Sequence, residues 1–340
     1  MSGSAVDDVE RTGTPMSVVE VARLGAAVLA AVQRVVVGMD DPLRFALAAL
    51  LSGGHVLFED VPGLGKTLAA RSLASSIGLD FRRVQGTPDL LPADITGSFI
   101  YDPADREFVF HSGPVFTGLL LADEINRTPP RTQSALLEAM AEGQVTVDGH
   151  AFALPVPFCV VATSNPIEYE GTYALPEAQL DRFLVRLSVG YPDRAHEQRI
   201  LLARVGRGQE GAAVPPVIDA ATFLRMRQAV EAVPVHPDIA GYCVDLAAAT
   251  RDHPDVAVGA SPRGAQALLL LARSLAVLDG RDVVTPEDVK RSALPVLAHR
   301  LSLTTRAWSE DVAADDVVRE LVGSVAGPPV VGAPVPAARP

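Results

Sequence analysis

The stretch that decides the fold covers residues 58–67, where the sequence is Phe58-Glu59-Asp60-Val61-Pro62-Gly63-Leu64-Gly65-Lys66-Thr67. An apolar run that favours a strand precedes this stretch, and a helical pattern follows it from Lys66 onward. A polyphosphate needs several backbone N–H groups directed at it, which requires a loop with little side-chain bulk. Gly63 and Gly65 meet that requirement. The stretch therefore predicts a phosphate-binding loop between a strand and a helix.

The nucleotide-binding residues predicted from this loop are Asp60, Val61, Pro62, Gly63, Leu64, Gly65, Lys66, Thr67 and Leu68. Lys66 is expected to contact the β- and γ-phosphates of ATP, and the Thr67 hydroxyl is expected to bind Mg²⁺. Asp60 replaces the first glycine of the usual G-x-x-x-x-G-K-[ST] pattern, and we expect it to be tolerated because Asp accepts unusual backbone angles. Taken alone, the stretch is also compatible with a Gly-Lys turn that caps an ordinary helix.

A second motif is an apolar run at 118–122 that ends in two carboxylates, Asp123 and Glu124. In a parallel sheet these side chains lie at the carboxyl edge, from which the phosphate-binding loop also emerges. Asp123 is expected to hold Mg²⁺ through water, and Glu124 to polarise the water that attacks the γ-phosphate. The alternative is a strand that runs into a solvated acidic turn, but the shared edge of the two motifs favours a functional pair.

A third apolar run, at 160–163, is followed by Asn165 and Pro166. The Asn165 amide could hydrogen-bond the attacking water or the γ-phosphate without adding charge. In isolation, an Asn-Pro pair is a turn signal. Its position after the other two motifs favours a role in the site.

Short β-rich runs alternate with helical patterns in the first two-thirds of the chain, which predicts an α/β fold with a five-stranded parallel sheet. The predicted strands are His55–Glu59, Phe81–Gln85, Leu119–Ala122, Phe158–Thr163 and Phe183–Val189. Beyond Pro192 only helical stretches are predicted. We therefore expect a disordered N-terminus at 1–16, an α/β ATPase core at 17–191, a small all-α lid domain at 192–326 and a Pro-rich disordered tail at 327–340.

Composition narrows the class of partner. Acidic residues outnumber basic ones by 41 to 29, giving a net charge of −12, so nucleic acid is an improbable ligand. Cys159 and Cys243 both lie in apolar settings and are expected to be buried free thiols. The N-terminal segment has no apolar signal region, and no apolar run approaches the ~18 residues of a membrane span. A cytoplasmic protein without membrane insertion is expected.

Together these motifs resemble the MoxR family of AAA+ ATPases. The resemblance covers 30–305 and is carried by 61–67, by Asp123-Glu124-Ile125-Asn126-Arg127, by 162–166 and by Leu175-Pro176-Glu177-Ala178-Gln179-Leu180-Asp181-Arg182-Phe183. It implies a P-loop fold in which Asp123 and Glu124 are the metal-binding and water-activating carboxylates. It further implies that Asn165 senses the γ-phosphate.

The resemblance also assigns two arginines to the catalytic set. Arg182 matches the arginine finger that enters a neighbouring subunit's site, and Arg263 matches a second sensor carried by the lid. A planar, permanently charged guanidinium suits phosphate oxygens whose charge grows during transfer. If the resemblance is set aside, the favoured interpretation of Arg182 is an ion pair with Asp181. The favoured interpretation of Arg263 is then a solvated arginine at a helix start.

Two further segments have expected structures. Residues 96–113 resemble the insertion within the second helix that marks this branch of AAA+ proteins, and 143–155 predict a hairpin around Asp148-Gly149. Either could contact a client, or the hairpin could merely cover a sheet edge. Gln85, at the end of the second predicted strand, is a candidate to restrain Glu124.

The resemblance implies a chaperone-like motor that hydrolyses ATP to ADP and phosphate, with ATP and Mg²⁺ as cofactors. It also implies a homohexameric ring and a protein client, with von Willebrand factor A domain proteins as candidates. One alternative is a nucleic-acid motor of the helicase type, which the acidic balance opposes. Another is a scaffold that binds nucleotide without hydrolysing it, which Glu124 and Arg182 oppose.

Overall fold

The computed structural model describes residues 16–166, 172–173, 175–207 and 214–329. Most of the two ends for which disorder is predicted lies outside these residues. Met16, at the inner end of the N-terminal segment, is buried in the apolar core.

In chain order the elements are α1 (Val18–Gln33), α2 (Asp40–Leu51), β1 (Val56–Glu59), α3 (Lys66–Ser76), β2 (Phe81–Gln85), α4 (Pro92–Thr96), β3 (Gly97–Asp102), β4 (Glu107–Ser112), β5 (Leu119–Asp123), α5 (Pro130–Glu142), β6 (Gln144–Val147), β7 (His150–Ala153), β8 (Cys159–Ser164), α6 (Glu177–Leu180), β9 (Val185–Leu187), α7 (Arg194–Arg207), α8 (Ala220–Glu231), α9 (Pro237–Asp252), β10 (Val256–Val258), α10 (Pro262–Leu278), α11 (Pro286–Leu297), β11 (Ser302–Leu303), α12 (Thr305–Ser309) and α13 (Ala314–Ser324). Short 3₁₀ turns follow β5 at Ile125–Arg127 and α11 at Ala298–Arg300.

The central sheet has five strands in the order β2-β5-β8-β1-β9, and its paired strands are all parallel. The predicted fold class is confirmed. Every residue of β5 and β8 is buried, as expected for inner strands covered on both faces. The two apolar strands that end at Asp123 and near Asn165 therefore lie side by side in the middle of the sheet.

Alternate residues of the sheet face two different cores. Val56 and Phe58 belong to the larger core, whereas Leu57 between them belongs to a second core with Leu136 and Leu137 of α5. The larger core also contains apolar residues of α1, α2, α3 and α8–α11. Helices α8–α11 are thus packed against the sheet through a continuous core.

The structure departs from the predicted elements in a few places. Beyond residue 192, where only helices are predicted, β10 and β11 form a short antiparallel pair. Strands this short leave no recognisable periodicity in the sequence. The segment that resembles an insertion forms the hairpin β3–β4, and the hairpin predicted at 143–155 is present as β6–β7.

The remaining predictions that concern the whole chain can be compared directly with the structure. Cys159 and Cys243 are buried free thiols, and burial raises the pKa of Cys159 to about 11 and that of Cys243 to about 12. Both act as small apolar residues, as predicted. No helix in the described part of the chain is both long and apolar enough to cross a bilayer.

Candidate active site

The loop between β1 and α3 has the backbone that a phosphate-binding loop requires. Gly63 and Gly65 have φ values of +84° and +85°, a region that side chains with a Cβ rarely adopt. A Cβ built on either glycine would meet no atom within 4 Å, so the loop faces open space. The glycines are therefore needed for the backbone angle and leave room for a ligand beside the start of α3.

Lys66 is buried at the first position of α3, with its side chain turned back into the loop. Its Nζ donates to the backbone carbonyls of Asp60 at 2.5 Å and Val61 at 3.1 Å. Burial lowers the pKa of Lys66, while the carboxylates of Asp60, Asp123 and Glu124 act in the opposite direction. The ammonium group is held by neutral carbonyls, which leaves it available to an incoming phosphate.

Asp60 has a different function from the one its place in the motif predicts. Its φ is not positive, so tolerance of unusual backbone angles is not the reason for its presence, and that explanation was wrong. One carboxylate oxygen accepts from its neighbour Val61 N at 2.8 Å, and the other accepts from Ser188 Oγ, Val189 N and Gly190 N at 2.7–2.9 Å. Asp60 thus fastens the start of the loop to the segment after β9.

Asp123 lies at the end of β5 with both carboxylate oxygens engaged. Oδ2 accepts from Thr67 Oγ1 at 3.1 Å, and Oδ1 accepts from Thr163 Oγ1 at 2.6 Å. The structure therefore brings together the loop and the acidic strand end, which the sequence had placed at one edge. This direct contact joins the two residues that were predicted to hold Mg²⁺.

The donor set fits Mg²⁺. A hydroxyl and a carboxylate supply hard oxygen ligands, and this ion typically completes its shell with water and substrate phosphates. Among the described residues no cluster of three or more His, Cys, Asp or Glu could hold a metal by itself. A magnesium ion would therefore be held at Thr67 and Asp123 together with the nucleotide, where it would neutralise developing phosphate charge.

Glu124 has a strained backbone. Its φ of 55° and ψ of 49° are left-handed, an uncommon conformation for a residue with a long side chain. Thr163 Oγ1 accepts from the Glu124 N–H at 2.8 Å, and a Cβ on Gly86 would lie 2.1 Å from the Glu124 carbonyl oxygen. Packing against β2 and β8 thus fixes this backbone.

The Glu124 carboxylate forms an ion pair with Arg127, whose Nε lies 3.0 Å from Oε2. Gln85, the residue considered as a restraint on Glu124, instead accepts a hydrogen bond from Arg83. No hydrogen bond between Gln85 and Glu124 is found among the described residues. Arg127, one turn beyond Glu124, is the residue that holds the carboxylate.

Asn165 is buried at the end of β8, beside the acidic strand end. Its backbone carbonyl accepts from Asn126 Nδ2 at 3.1 Å, and its N–H donates to Asn126 Oδ1 at 3.4 Å. Asn126 therefore fixes the backbone that carries Asn165, next to Asp123 and Glu124.

Arg182 and Arg263 are not joined to this site within the chain. Arg182 follows α6, and its side chain makes no hydrogen bond or ion pair with any described residue. If the family resemblance is set aside, Asp181 is the expected partner of Arg182. Asp181 instead pairs with Arg300 at 2.7 Å. Arg263 lies at the start of α10 with Nη1 3.8 Å from Asp181 Oδ2. Asp181 therefore pairs with Arg300 and not with Arg182, so that interpretation was wrong, whereas the Arg263 side chain is 57% exposed, in keeping with a largely solvated arginine at a helix start.

A cavity of about 150 Å³ beside the loop was not predicted. Gly63, Gly65 and Leu68 line one side, and Val35–Gly38, Pro192 and Ile200 line much of the rest. The walls are mostly apolar, which suits the flat face of a nucleoside base. The short run Val35-Val36-Val37-Gly38 between α1 and α2 carried no recognisable motif, so sequence analysis missed this half of the pocket.

A phosphate-binding loop and an acidic strand end at one edge of a five-stranded parallel sheet, followed by a helical region, define a P-loop ATPase of the AAA+ class. The family model for the "ATPase family associated with various cellular activities (AAA)" matches residues 55–185, and the AAA lid domain model matches 248–321. The chain belongs to the MoxR family of AAA+ ATPases, because its similarity to a named member extends over most of both sequences.

Two relatives and one solved structure match most of this chain. Chaperone MoxR1 of Mycobacterium tuberculosis is 43% identical over 89% of this chain and 82% of its own length. The uncharacterized protein YeaC of Bacillus subtilis is 49% identical over 87% of this chain and 92% of its own. A crystal structure from Cytophaga hutchinsonii, of a protein proposed to be an ATPase, superposes with a TM-score of 0.85 at 36% identity, covering 92% of this chain and 97% of that one.

Proposed function

We propose that this chain hydrolyses ATP to ADP and phosphate at the site formed by the β1–α3 loop and the ends of β5 and β8. The observation that carries the proposal is the hydrogen bond between Thr67 and Asp123, which joins the phosphate-binding loop to the acidic strand end. In this proposal the nucleoside occupies the cavity between Val35–Gly38 and the loop. The phosphates lie over 60–68.

The catalytic roles follow from position and chemistry. Lys66 exchanges its two carbonyl partners for phosphate oxygens, and Thr67 and Asp123 hold Mg²⁺. Glu124 leaves Arg127 and orients the attacking water, with Asn165 hydrogen-bonded to that water or to the γ-phosphate. The backbone that carries Glu124 and Asn165 is fixed before substrate arrives, and such preorganisation lowers the barrier of a reaction.

Two arginines that do not contact these residues within the chain are proposed to complete the site. Arg182 has no partner among the described residues of its own chain, which supports a role as an arginine finger in a neighbouring subunit. Arg263 is proposed to act as the second sensor of the same nucleotide. A ring of identical subunits, a homohexamer in this proposal, would supply Arg182 to each site.

The energy of hydrolysis is proposed to remodel a protein client in the cytoplasm. The chaperone name of the Mycobacterium tuberculosis relative supports this role. A client with a von Willebrand factor A domain is proposed from the family resemblance. The β3–β4 hairpin supplies a plausible contact surface, since Ile100, Tyr101 and Phe108 are about half or more exposed there. Exposed apolar patches of this kind commonly bind other proteins.

The proposal is tested with Lys66→Ala and Glu124→Gln. Lys66→Ala should weaken ATP binding at least about a hundredfold, because charge-assisted bonds to the phosphates are lost. Glu124→Gln should keep ATP binding, lose turnover and retain the client in a pull-down with ATP. Lys290→Ala and Glu138→Gln, on α11 and on the exposed side of α5, are the controls. ATP hydrolysis by Glu124→Gln at the rate of the unaltered protein would contradict the proposal.

A further inference from the structure

Arg83 is an ionic partner of Asp123 that the catalytic scheme above does not use. It lies on β2, which pairs with β5 in a register that sets Gln85 opposite Asp123. Arg83 Nε and Nη2 lie 2.9 and 2.7 Å from Asp123 Oδ2. The guanidinium therefore binds one carboxylate oxygen with two of its nitrogens.

That oxygen is the one that also accepts from Thr67 Oγ1. Thr67 and Asp123 are the proposed protein ligands of Mg²⁺, so Arg83 occupies the metal side of the carboxylate. Oδ1 faces away, toward Thr163. A guanidinium bound to Oδ2 and a magnesium ion held at the same oxygen, directly or through water, repel each other because both are positively charged.

We propose that Arg83 neutralises the Asp123 carboxylate in the nucleotide-free site and competes with Mg²⁺ for it. The inference depends on the proposed function, because it assumes that Mg²⁺ enters with ATP. Arg83 must then leave Oδ2 as the metal binds. Its side chain is 44% exposed, so it can move toward solvent.

Two features of the site favour competition over a purely structural role. First, Asp123 is already positioned without Arg83, since Thr163 binds its carboxylate and Gly86 N donates to its backbone carbonyl at 2.7 Å. Second, Lys66 does not contact the carboxylate, because its Nζ is held by backbone carbonyls. Arg83 is therefore the guanidinium that neutralises Asp123 in the absence of nucleotide.

Gln85 provides a second anchor for the same guanidinium. Its Oε1 accepts from Arg83 Nη2, and the two residues lie on the same face of β2, two positions apart. When the metal takes Oδ2, this hydrogen bond keeps Arg83 at the rim of the site.

The test compares Arg83→Gln and Arg83→Lys with the control Arg82→Ala, whose side chain reaches only the Gly113 carbonyl at 3.5 Å on the other face of β2. Mn²⁺ replaces Mg²⁺ as a probe, and its binding to the protein–ADP complex is followed by electron paramagnetic resonance. Nucleotide affinity is measured in parallel in EDTA with a fluorescent ADP. These readouts do not require turnover.

Removal of the competing charge should tighten Mn²⁺ binding about tenfold in Arg83→Gln and leave metal-free ADP affinity within about twofold. Arg83→Lys should fall between this variant and the unaltered protein, and Arg82→Ala should match the latter. Weaker or unchanged Mn²⁺ binding in Arg83→Gln, with normal ADP affinity, would overturn the proposed role of Arg83 but not the proposed function. Failure of the unaltered protein to bind ADP with or without Mn²⁺ would overturn the proposed function as well.

Discussion

Arg300 and Asp181 form an ion pair immediately before the predicted arginine finger, and the arginine side chain is buried. Arg300 Nε lies 2.7 Å from Asp181 Oδ1, and the Arg300 side chain is only 3% exposed. The same guanidinium donates to the backbone carbonyls of Asp181 and Phe183, on either side of Arg182. Because Arg300 follows α11, the backbone at residue 182 is held by the helical region.

Loss of the Asp181 carboxylate should destabilise the protein strongly. Burial lowers the pKa of Arg300 and Asp181 raises it, so the charge depends on this partner. Asp181→Ala would leave a buried guanidinium unpaired, at an expected cost of about 3–5 kcal/mol in the free energy of unfolding. Urea denaturation measures this loss. Asp255→Ala, which removes the partner of the exposed Arg306, should cost about 1 kcal/mol or less, and equal losses would contradict this view.

The elements predicted best are those with local signals. Helices α10 and α11 have clear starting signals, because Ser261 and Thr285 cap them and a proline follows each cap. Strands β5 and β8 were predicted because they are continuously apolar. Helix α2 was not predicted, since a helix buried on most sides has no clear polar face.

The sequence predicts only those site residues that lie in motifs contiguous along the chain. The loop at 60–68 and the Asp123–Glu124 pair were found from sequence, and Thr163 lay unremarked inside the third motif. Arg83 could not be found, because its pairing with Asp123 depends on β2 being the neighbour of β5. The same limit applies to Asp181 and Arg300, which meet only when the helical region packs on the sheet.

Asp60→Asn should show how much the hydrogen bonds of the Asp60 carboxylate contribute to the free energy of unfolding. Burial would raise the pKa of Asp60, but hydrogen bonds from Gly190, Ser188, Val61 and Val189 hold it below its usual value. The carboxylate therefore stabilises the fold above its unfolded pKa, near 4, and this contribution is lost as pH falls through the lower folded pKa. At pH 7 the free energy of unfolding should fall by about 1–2 kcal/mol.

The difference between Asp60→Asn and the unaltered protein should shrink as the pH falls below the unfolded pKa of Asp60 toward its lower folded pKa. Asp245→Asn, at an exposed position of α9, is the matched control and should change stability by less than about 0.5 kcal/mol. A difference that stays constant from pH 7 to pH 3 would show that the negative charge of Asp60 is not what fastens the loop.

His55 should make the fold sensitive to mild acid. Its Nε2 donates to the Met140 carbonyl at 3.2 Å, its Nδ1 accepts from Val160 N at 3.1 Å, and burial lowers its pKa to about 4. Between about pH 6.5 and 4 the unfolded chain binds a proton that the folded chain excludes, so stability falls as pH falls. The full effect is about 3 kcal/mol.

His55→Asn, which cannot be protonated, should be less stable at pH 7 but should lose less stability between pH 7 and pH 5. Urea denaturation at several pH values measures both slopes. His299, also buried with a pKa well below the usual range, should retain part of the dependence. His150→Asn, on the exposed hairpin β6–β7, should leave the slope unchanged, and an equal slope in His55→Asn would refute the assignment.

Mixing two inactive variants should restore ATP hydrolysis if Arg182 acts on a neighbouring subunit. Arg182→Ala keeps a complete nucleotide site but lacks the finger, whereas Glu124→Gln lacks the water-activating carboxylate but keeps Arg182. Where a Glu124→Gln subunit presents Arg182 to an Arg182→Ala subunit, every required group is present at one site. Steady-state phosphate release from an equimolar mixture should therefore greatly exceed that of either variant alone.

The matched control is a mixture of Lys66→Ala and Glu124→Gln, in which each subunit's own site is defective and no activity should appear. If the first mixture releases no more phosphate than either variant alone, although both variants assemble and bind ATP, then Arg182 does not act between subunits.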